Sequence, residues 1–224
     1  PYAALGGFTH LGGGGNEVSS SAILGSSSPS GSNAIVDWVF LQLHDSATSN
    51  VICTRSALLQ RDGDIVDTNG VAAVNMAGNP PGNYYLSVRH RNHLGVRTAN
   101  TFSFGKIAGS NINFSSSLST AFTGTVSNNP MARIGAGVYG LWCGNANRDQ
   151  IISITGATAS NNDYLKLFNT LGTNTNLLNN VYLSEDINMD GKIKMTGLSG
   201  NNNDYLKLFD AVGQTPLIIY QPNF

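Results

Sequence analysis

Asp186, Asn188 and Asp190 stand at alternate positions and are followed at once by Gly191, Lys192 and Ile193. In a loop of this spacing, oxygen-bearing side chains at positions 1, 3 and 5 converge on one hard cation. A glycine at 6 makes the sharp turn, the carbonyl of residue 7 adds an oxygen, and an apolar residue at 8 points into a core. Lys192 falls at position 7 and Ile193 at position 8. The acid usual at position 12 is missing, because Gly197 stands there. Asp204, just ahead of Tyr205-Leu206-Lys207-Leu208-Phe209, is the natural residue to close the shell, and Asn202 is a weaker second. A set made only of oxygens suits calcium.

The same pattern occurs twice. Residues 145–168 align with 186–209 at a fixed offset of 41 without a gap, with 13 identities in 24 positions and a shared ending Asn-Asn-Asp-Tyr-Leu-Lys-Leu-Phe. Such self-similarity marks a duplicated supersecondary unit. In the first copy Asn145, Asn147 and Asp149 take positions 1, 3 and 5, Gln150 replaces the glycine, Ile151 offers the carbonyl, and Asp163 with Asn161 closes the loop. This copy has one carboxylate fewer. Its non-glycine turn adds strain of roughly 1 kcal/mol if the backbone there is left-handed. Two ions are therefore expected, the first held more weakly. Runs of Asn, Asp and Gly also make plain turns; recurrence at fixed spacing, each time ahead of an amphipathic helix start, sets these apart.

The elements that must position these loops fall into four stretches. Residues 1–33 form a Gly/Ser-rich arm, with the tetraglycine Gly12 to Gly15 and the serine runs Ser19 to Ser21 and Ser26 to Ser28. Such a composition does not bury enough apolar surface to fold alone, yet Tyr2, Leu5, Phe8, Leu11, Ile23 and Leu24 are scattered through it as anchors. The alternative is a linker from a longer precursor. Residues 34–140 read as all-β. Ile35 to Leu43 is a strand buried largely on both faces, and Asp62-Gly63 and Asn69-Gly70 are hairpin signals. Pro80-Pro81-Gly82-Asn83 launches a strand in which Tyr84, Leu86 and Val88 point one way while Tyr85, Ser87 and Arg89 point the other. Short strands punctuated by Gly, Pro and Asn predict an antiparallel β-sandwich. Residues 141–215 hold the duplicated loop–helix unit, and 216–224 form a strand-like tail. The fold class expected is mainly β, with a small helical calcium-binding unit at the end.

The loop residues quoted above resemble dockerin-type repeats, the paired loop–helix calcium modules of secreted bacterial proteins. The longer gap between position 8 and the closing acid departs from that pattern. The stretches Ala34 to Val39, Arg55 to Asp64, Pro81 to Tyr85 through His93 to Val96, and the opening Pro1-Tyr2…Phe8-Thr9-His10, are similar to a module at the C-terminal ends of large secreted surface proteins. The resemblance spans nearly the whole chain. It implies a transthyretin-like β-sandwich leading into dockerin-like repeats, and an extracellular or cell-surface location.

Other chemistry is poorly supplied. Charged residues are 11% of the chain and the net charge is -1, which leaves no basic patch for nucleic acid; Arg89-His90-Arg91-Asn92-His93 reads as part of a strand. No apolar run approaches the roughly 18 residues of a membrane span. The start at Pro1 suggests a trimmed product whose export signal has gone. Cys53 and Cys143 form either one long-range disulfide or two buried thiols. The histidines His10, His44, His90 and His93 lack partners for catalysis, and no nucleophile elbow, H-E-x-x-H or phosphate loop occurs, so no enzyme is expected. Asp62, Asp64, Asp67 and Asn69 read as a solvated hairpin loop rather than a third cation site, and Trp38 and Trp142 as core rather than a sugar platform. Asn113-Phe114-Ser115 is an N-glycosylation sequon, and Asp45-Ser46-Ala47 resembles an O-glycosylation site of some bacterial surface proteins. The expectation is a surface protein that self-associates into a helical polymer through its terminal segments, since a head-to-tail contact that does not close makes an open helix. The rival is a dockerin-like or adhesive module that binds a protein or glycan.

Overall fold

The computed structural model describes residues 2, 5, 8–11, 16–25, 30–76, 78–105, 111–172, 177–213 and 218–224. Gly12 to Gly15, Ser26 to Ser28 and Pro216-Leu217 of the tail lie outside the described residues.

Ile35–Asp45 (β1), Val51–Gln60 (β2), Ile65–Val66 (β3), Gly82–Arg89 (β4), Val96–Arg97 (β5) and Phe102–Phe104 (β6) form one antiparallel sheet in the order β3-β2-β1-β4-β5. The short strand β6 continues along the same edge of β4 that β5 occupies higher up, Tyr84 facing Phe102 and Ser87 facing Arg97. Alternation along β1 sends Val39, Leu41 and Leu43 to one face, where they pack with Ala57, Tyr84, Val88, Val96, Ala121 and Met131. Ala132–Gly135 (β7) and Val138–Gly140 (β8) make a hairpin beside this core. The chain is thus mainly β with antiparallel pairing, as expected.

The opposite face of the sheet is covered by the chain's own two ends. Trp38, Leu58 and Val66 are buried there against Leu24, Phe8 and Ile23 of the arm, part of it in the single helical turn Ser21–Leu24 (α1). The Trp38 indole donates to the Phe8 carbonyl at 2.8 Å, the Ser56 amide to Glu17 Oε2 at 3.0 Å, and Ser19 Oγ to the Thr68 carbonyl at 2.7 Å. Further along, Phe224 lies against Arg89, Arg97 and the ring of His44, and Gln221 Oε1 accepts the Gly95 amide at 2.5 Å.

The duplicated unit comprises Ile151–Ile152 (β9), Asp163–Leu171 (α2), Leu177–Asn179 (β10), Lys192–Lys194 (β11), Asp204–Val212 (α3) and Ile219–Tyr220 (β12). Both helices start the same way. Asn162 caps α2 by accepting the Leu165 amide, and Asn203 caps α3 by accepting the Leu206 amide, each at 3.1 Å. Both stop at a left-handed glycine, Gly172 and Gly213. The strands cross over between the copies: β11 of the second loop pairs with β10, which follows the first helix, and β9 of the first loop pairs with β12, which follows the second. Leu178 faces Ile193 and Ile219 faces Ile152, so these partners keep the 41-residue offset. The tail strand therefore belongs to the duplicated unit, where sequence analysis set it apart. Core packing follows the same exchange. Leu167 and Leu171 of α2 bury against Ile193, whereas Leu208 and Val212 of α3 bury against Ile152.

Candidate calcium loops

In the second loop, Asp186 Oδ1 and Asn188 Oδ1 both accept the Asp190 amide at 3.1 Å, and Asp190 Oδ1 accepts the Lys192 amide at 2.9 Å. Asp204 reaches back from the start of α3. Its Oδ1 accepts the amides of Ile187 at 2.7 Å and Asn188 at 3.1 Å, and its Oδ2 accepts that of Lys194 at 2.8 Å. The first loop reproduces five of these six bonds. Asn145 and Asn147 accept the Asp149 amide at 3.1 Å, Asp149 accepts that of Ile151 at 2.9 Å, and Asp163 accepts those of Asn147 at 3.1 Å and Ser153 at 2.8 Å. Both position-7 residues, Ile151 and Lys192, open a short strand, and the position-8 residues Ile152 and Ile193 are fully buried.

Backbone strain repeats as well. Arg148 and Met189 at position 4 both have positive φ, 63° and 59°, and at position 6 Gln150 takes φ 71° where Gly191 takes 81°. Left-handed non-glycine residues cost about 1–2 kcal/mol each and persist where the surrounding structure imposes them. The missing acid at position 12 also has a physical reason. A Cβ on Gly197 would sit 2.6 Å from Asn202 Oδ1, and one on Gly156 would sit 2.6 Å from Asn161 Oδ1. That position cannot carry a side chain, and the closing acid comes later.

Asn161 and Asn202 are not brought to the loops. Asn161 Oδ1 accepts from Thr158 at 3.1 Å and Asn202 Oδ1 from the Ser199 amide at 3.3 Å, so each braces the turn ahead of its helix.

Asp163, Asp186 and Asp204 are fully buried. Burial pushes Asp163 and Asp186 up to about 7 and Asp204 up to about 6, against the pull of the amides they accept and, for Asp186, of Arg91. Neighbouring carboxylates add to the rise: Asp149 for Asp163, Asp204 for Asp186 and Asp190 for Asp204. Asn188 Nδ2 is buried with no partner among the described residues. Among those residues, no three His, Cys, Asp or Glu side chains gather as a metal cluster on their own; loops of this type draw as much on amide and carbonyl oxygens. An oxygen-only donor set with crowded, buried carboxylates fits a hard divalent cation. Asp186, Asn188, Asp190, Asp204 and the Lys192 carbonyl would hold one ion, and Asn145, Asn147, Asp149, Asp163 and the Ile151 carbonyl the other. Such an ion would supply charge neutralisation and cross-linking of loop to helix.

The other candidates resolve differently. Asp67 is gripped by Arg55 Nη2 through both oxygens at 2.7 and 2.9 Å, Asn69 caps its own turn, and Asp62 and Asp64 are exposed. Cys53 and Cys143 are free thiols rather than a disulfide. Trp38 is fully buried, and Trp142 packs with the second core while its indole donates to the Asn129 carbonyl at 2.8 Å. Asn113 is exposed and accepts from Ser115, and Asp45 caps its own turn through Ala47 and Thr48. Among the described residues no helix is long and apolar enough to cross a membrane.

Sequence reasoning missed the junction beneath the second loop. Arg91, which was read as part of a basic strand segment, is fully buried and reaches three parts of the chain. Its Nε meets Asp37 Oδ2 at 3.0 Å, its Nη1 the carbonyls of Leu183 and Asp186, and its Nη2 the hydroxyl of Tyr2. Tyr182 donates to Asp37 Oδ1 at 2.6 Å, and His90 Nε2 lies 3.2 Å from Asp37 Oδ2. Burial works against the charge on Asp37, but His90 and Arg91 overcome it and hold the carboxyl well below the usual range. The available signal was the run of polar residues breaking the strand alternation after Arg89.

No family model matches the chain, and neither the curated proteins nor the solved structures contain a similar one at a significant level.

Proposed function

We propose that this chain is a calcium-binding structural protein of the cell exterior, built as the subunit of a surface filament and not as an enzyme. The observation that carries the calcium reading is the set of five hydrogen bonds that the two loops share at equivalent positions, strained positions included. Plain turns of drifting sequence have no reason to keep five matching contacts from backbone amides to side-chain oxygens across 41 residues. The dockerin-like and transthyretin-like resemblance supports the extracellular setting.

Assembly through the ends is supported by how the ends are used. Arm and tail cover one face of the sheet with apolar anchors and few ladder hydrogen bonds, and the arm is joined to β1 through a Gly/Ser-rich stretch. A neighbour's arm offers the same anchors to the same face; exchange of identical elements is a low-cost route to association, and a head-to-tail exchange that does not close runs on as a polymer. The rival reading, a docking or adhesive module, draws on Ile134, Val138 and Leu198, which stand exposed at 68%, 43% and 99%. Electron microscopy of the protein in calcium and in chelator separates the two. Filaments are expected with calcium, and dispersed monomers under both conditions would overturn the filament reading.

A further inference from the structure

Asp186, at position 1 of the second loop, bonds within the loop through both oxygens and to the arm through one of them. Oδ1 accepts the Asp190 amide, within the loop. Oδ2 accepts the Gly191 amide at 3.0 Å and the hydroxyl of Tyr2 at 2.8 Å, with Arg91 Nη2 at 3.7 Å. Tyr2 is held hard in place. It is fully buried, its ring meets Phe8 and Tyr182 edge-on at 5.2 and 5.0 Å, and the Arg91 guanidinium lies 5.1 Å from its centroid. The first loop has Asn145 at the equivalent position, whose amide donates to the Asn92 carbonyl.

We infer that the Tyr2 hydroxyl is a positioning group for calcium at the second loop, so that docking of the arm and binding of that ion are coupled. The inference rests on the calcium reading above. Hydrogen bonds to the outer oxygen of a ligating carboxylate fix its orientation and raise its quality as a ligand, and losing them typically costs 10–100-fold in metal affinity. Here the outer bond comes from a residue 184 positions away in sequence, on a segment that has to dock before it can donate. Linkage then works both ways: whatever factor the docked arm adds to calcium affinity, calcium adds to arm docking. In a filament with exchanged arms the hydroxyl would come from the neighbouring copy, and the ion would tighten the joint between subunits.

The test is calcium titration by calorimetry of the full chain, of Tyr2→Phe, and of each combined with Asp163→Asn to silence the first loop. Phe keeps the ring and its packing, so the fold and the first loop act as internal controls. The expected result is a roughly tenfold loss of affinity at the second loop alone, with faster hydrogen exchange or proteolysis of residues 8–25 in chelator than in calcium. Equal affinities for Tyr2→Phe and the parent overturn the coupling while leaving calcium binding intact. No calcium binding by the parent chain overturns the loop reading itself, and the two failures are distinct.

Discussion

The side-chain amide of Asn92 donates to the backbone carbonyl of Asp186 at 2.6 Å, while the Asn92 carbonyl accepts the amides of Gly144 and Asn145 at 3.0 Å. One buried residue of the sheet domain thus holds the first residue of both loops, with Arg91 beside it on the second. The loops are therefore placed by the sheet, and not only by each other.

Replacing Asn92 with Ala leaves the Asp186 carbonyl without that donor in a buried setting. A loss of about 1–3 kcal/mol of stability is expected. Urea denaturation with and without calcium would measure it, and an unchanged midpoint would show that the junction does not support the loops.

On the proposed calcium reading, chelation should remove an ion that binds only the folded chain. At a hundredfold excess over its dissociation constant each ion contributes about 2.7 kcal/mol, which is on the order of 5–10 °C in melting temperature for a chain of this size. Asp204→Asn should reduce the calcium stoichiometry from two to one, Asp163→Asn should remove the other ion, and the pair should abolish the response to chelator. The effect should grow from pH 5.5 to 8. Asp163, Asp186 and Asp204 have raised values in the metal-free fold, so their contribution is present at low pH and lost as pH rises through 6–7, where the ion replaces the proton. A melting temperature indifferent to calcium at pH 8 would sink both loops.

Gln150 occupies a left-handed position that its counterpart fills with Gly191. Gln150→Gly removes strain of about 1–2 kcal/mol, part of which is returned as greater freedom of the unfolded chain, about 0.4–1 kcal/mol. A net gain of up to about 1.5 kcal/mol is expected, together with tighter calcium binding at the first loop. Thermal unfolding and titration would check it; a loss of stability would mean the Gln150 contact with Gln221 outweighs the strain.

Acid should loosen the arm before it unfolds the rest. Burial, reinforced by His90, pushes His10 down to about 4, and burial also sets His93 well below an ordinary imidazole. A histidine depressed on folding contributes stability that is whole above its unfolded value of 6.5 and is lost as pH falls through its folded value. Asp37, also depressed, adds a loss in the same direction at lower pH, below its ordinary 3.8. His10 stacks on Phe40 beside Trp38. In calcium, the fluorescence of Trp38 in a Trp142→Phe background should therefore change between pH 6.5 and 4, and His10→Phe should shift that change to lower pH. No change above pH 4 would count against the docked arm.

What was legible in the sequence is what is local. Ligand spacing in a loop is set by a few consecutive residues, and the exact repeat pointed to Asp163 and Asp204 as closing acids; the structure brings both to their loops. The strand Ile35 to Leu43 was legible from its apolar run, and Tyr84 to Arg89 from alternation. The partners of Arg91 were not, because Asp37 and the Asp186 carbonyl lie 54 and 95 residues away. Nor was the use of Ile219-Tyr220. Its relation to Leu178-Asn179 is carried by the offset and one apolar pair, Leu178 and Ile219, without identity to mark it. Asn161 and Asn202 misled because an oxygen near a loop in sequence was already committed to a turn.

The crossed pairing of the two loops has a consequence for biogenesis. Since β9 pairs with β12, the first loop, complete in sequence by Asp163, lacks its strand partner until residues 219–220 have left the ribosome. A chain cut short before Ile219 would leave β9 without its partner, so the first copy's strand pairing reports on whether the second copy has been made in full.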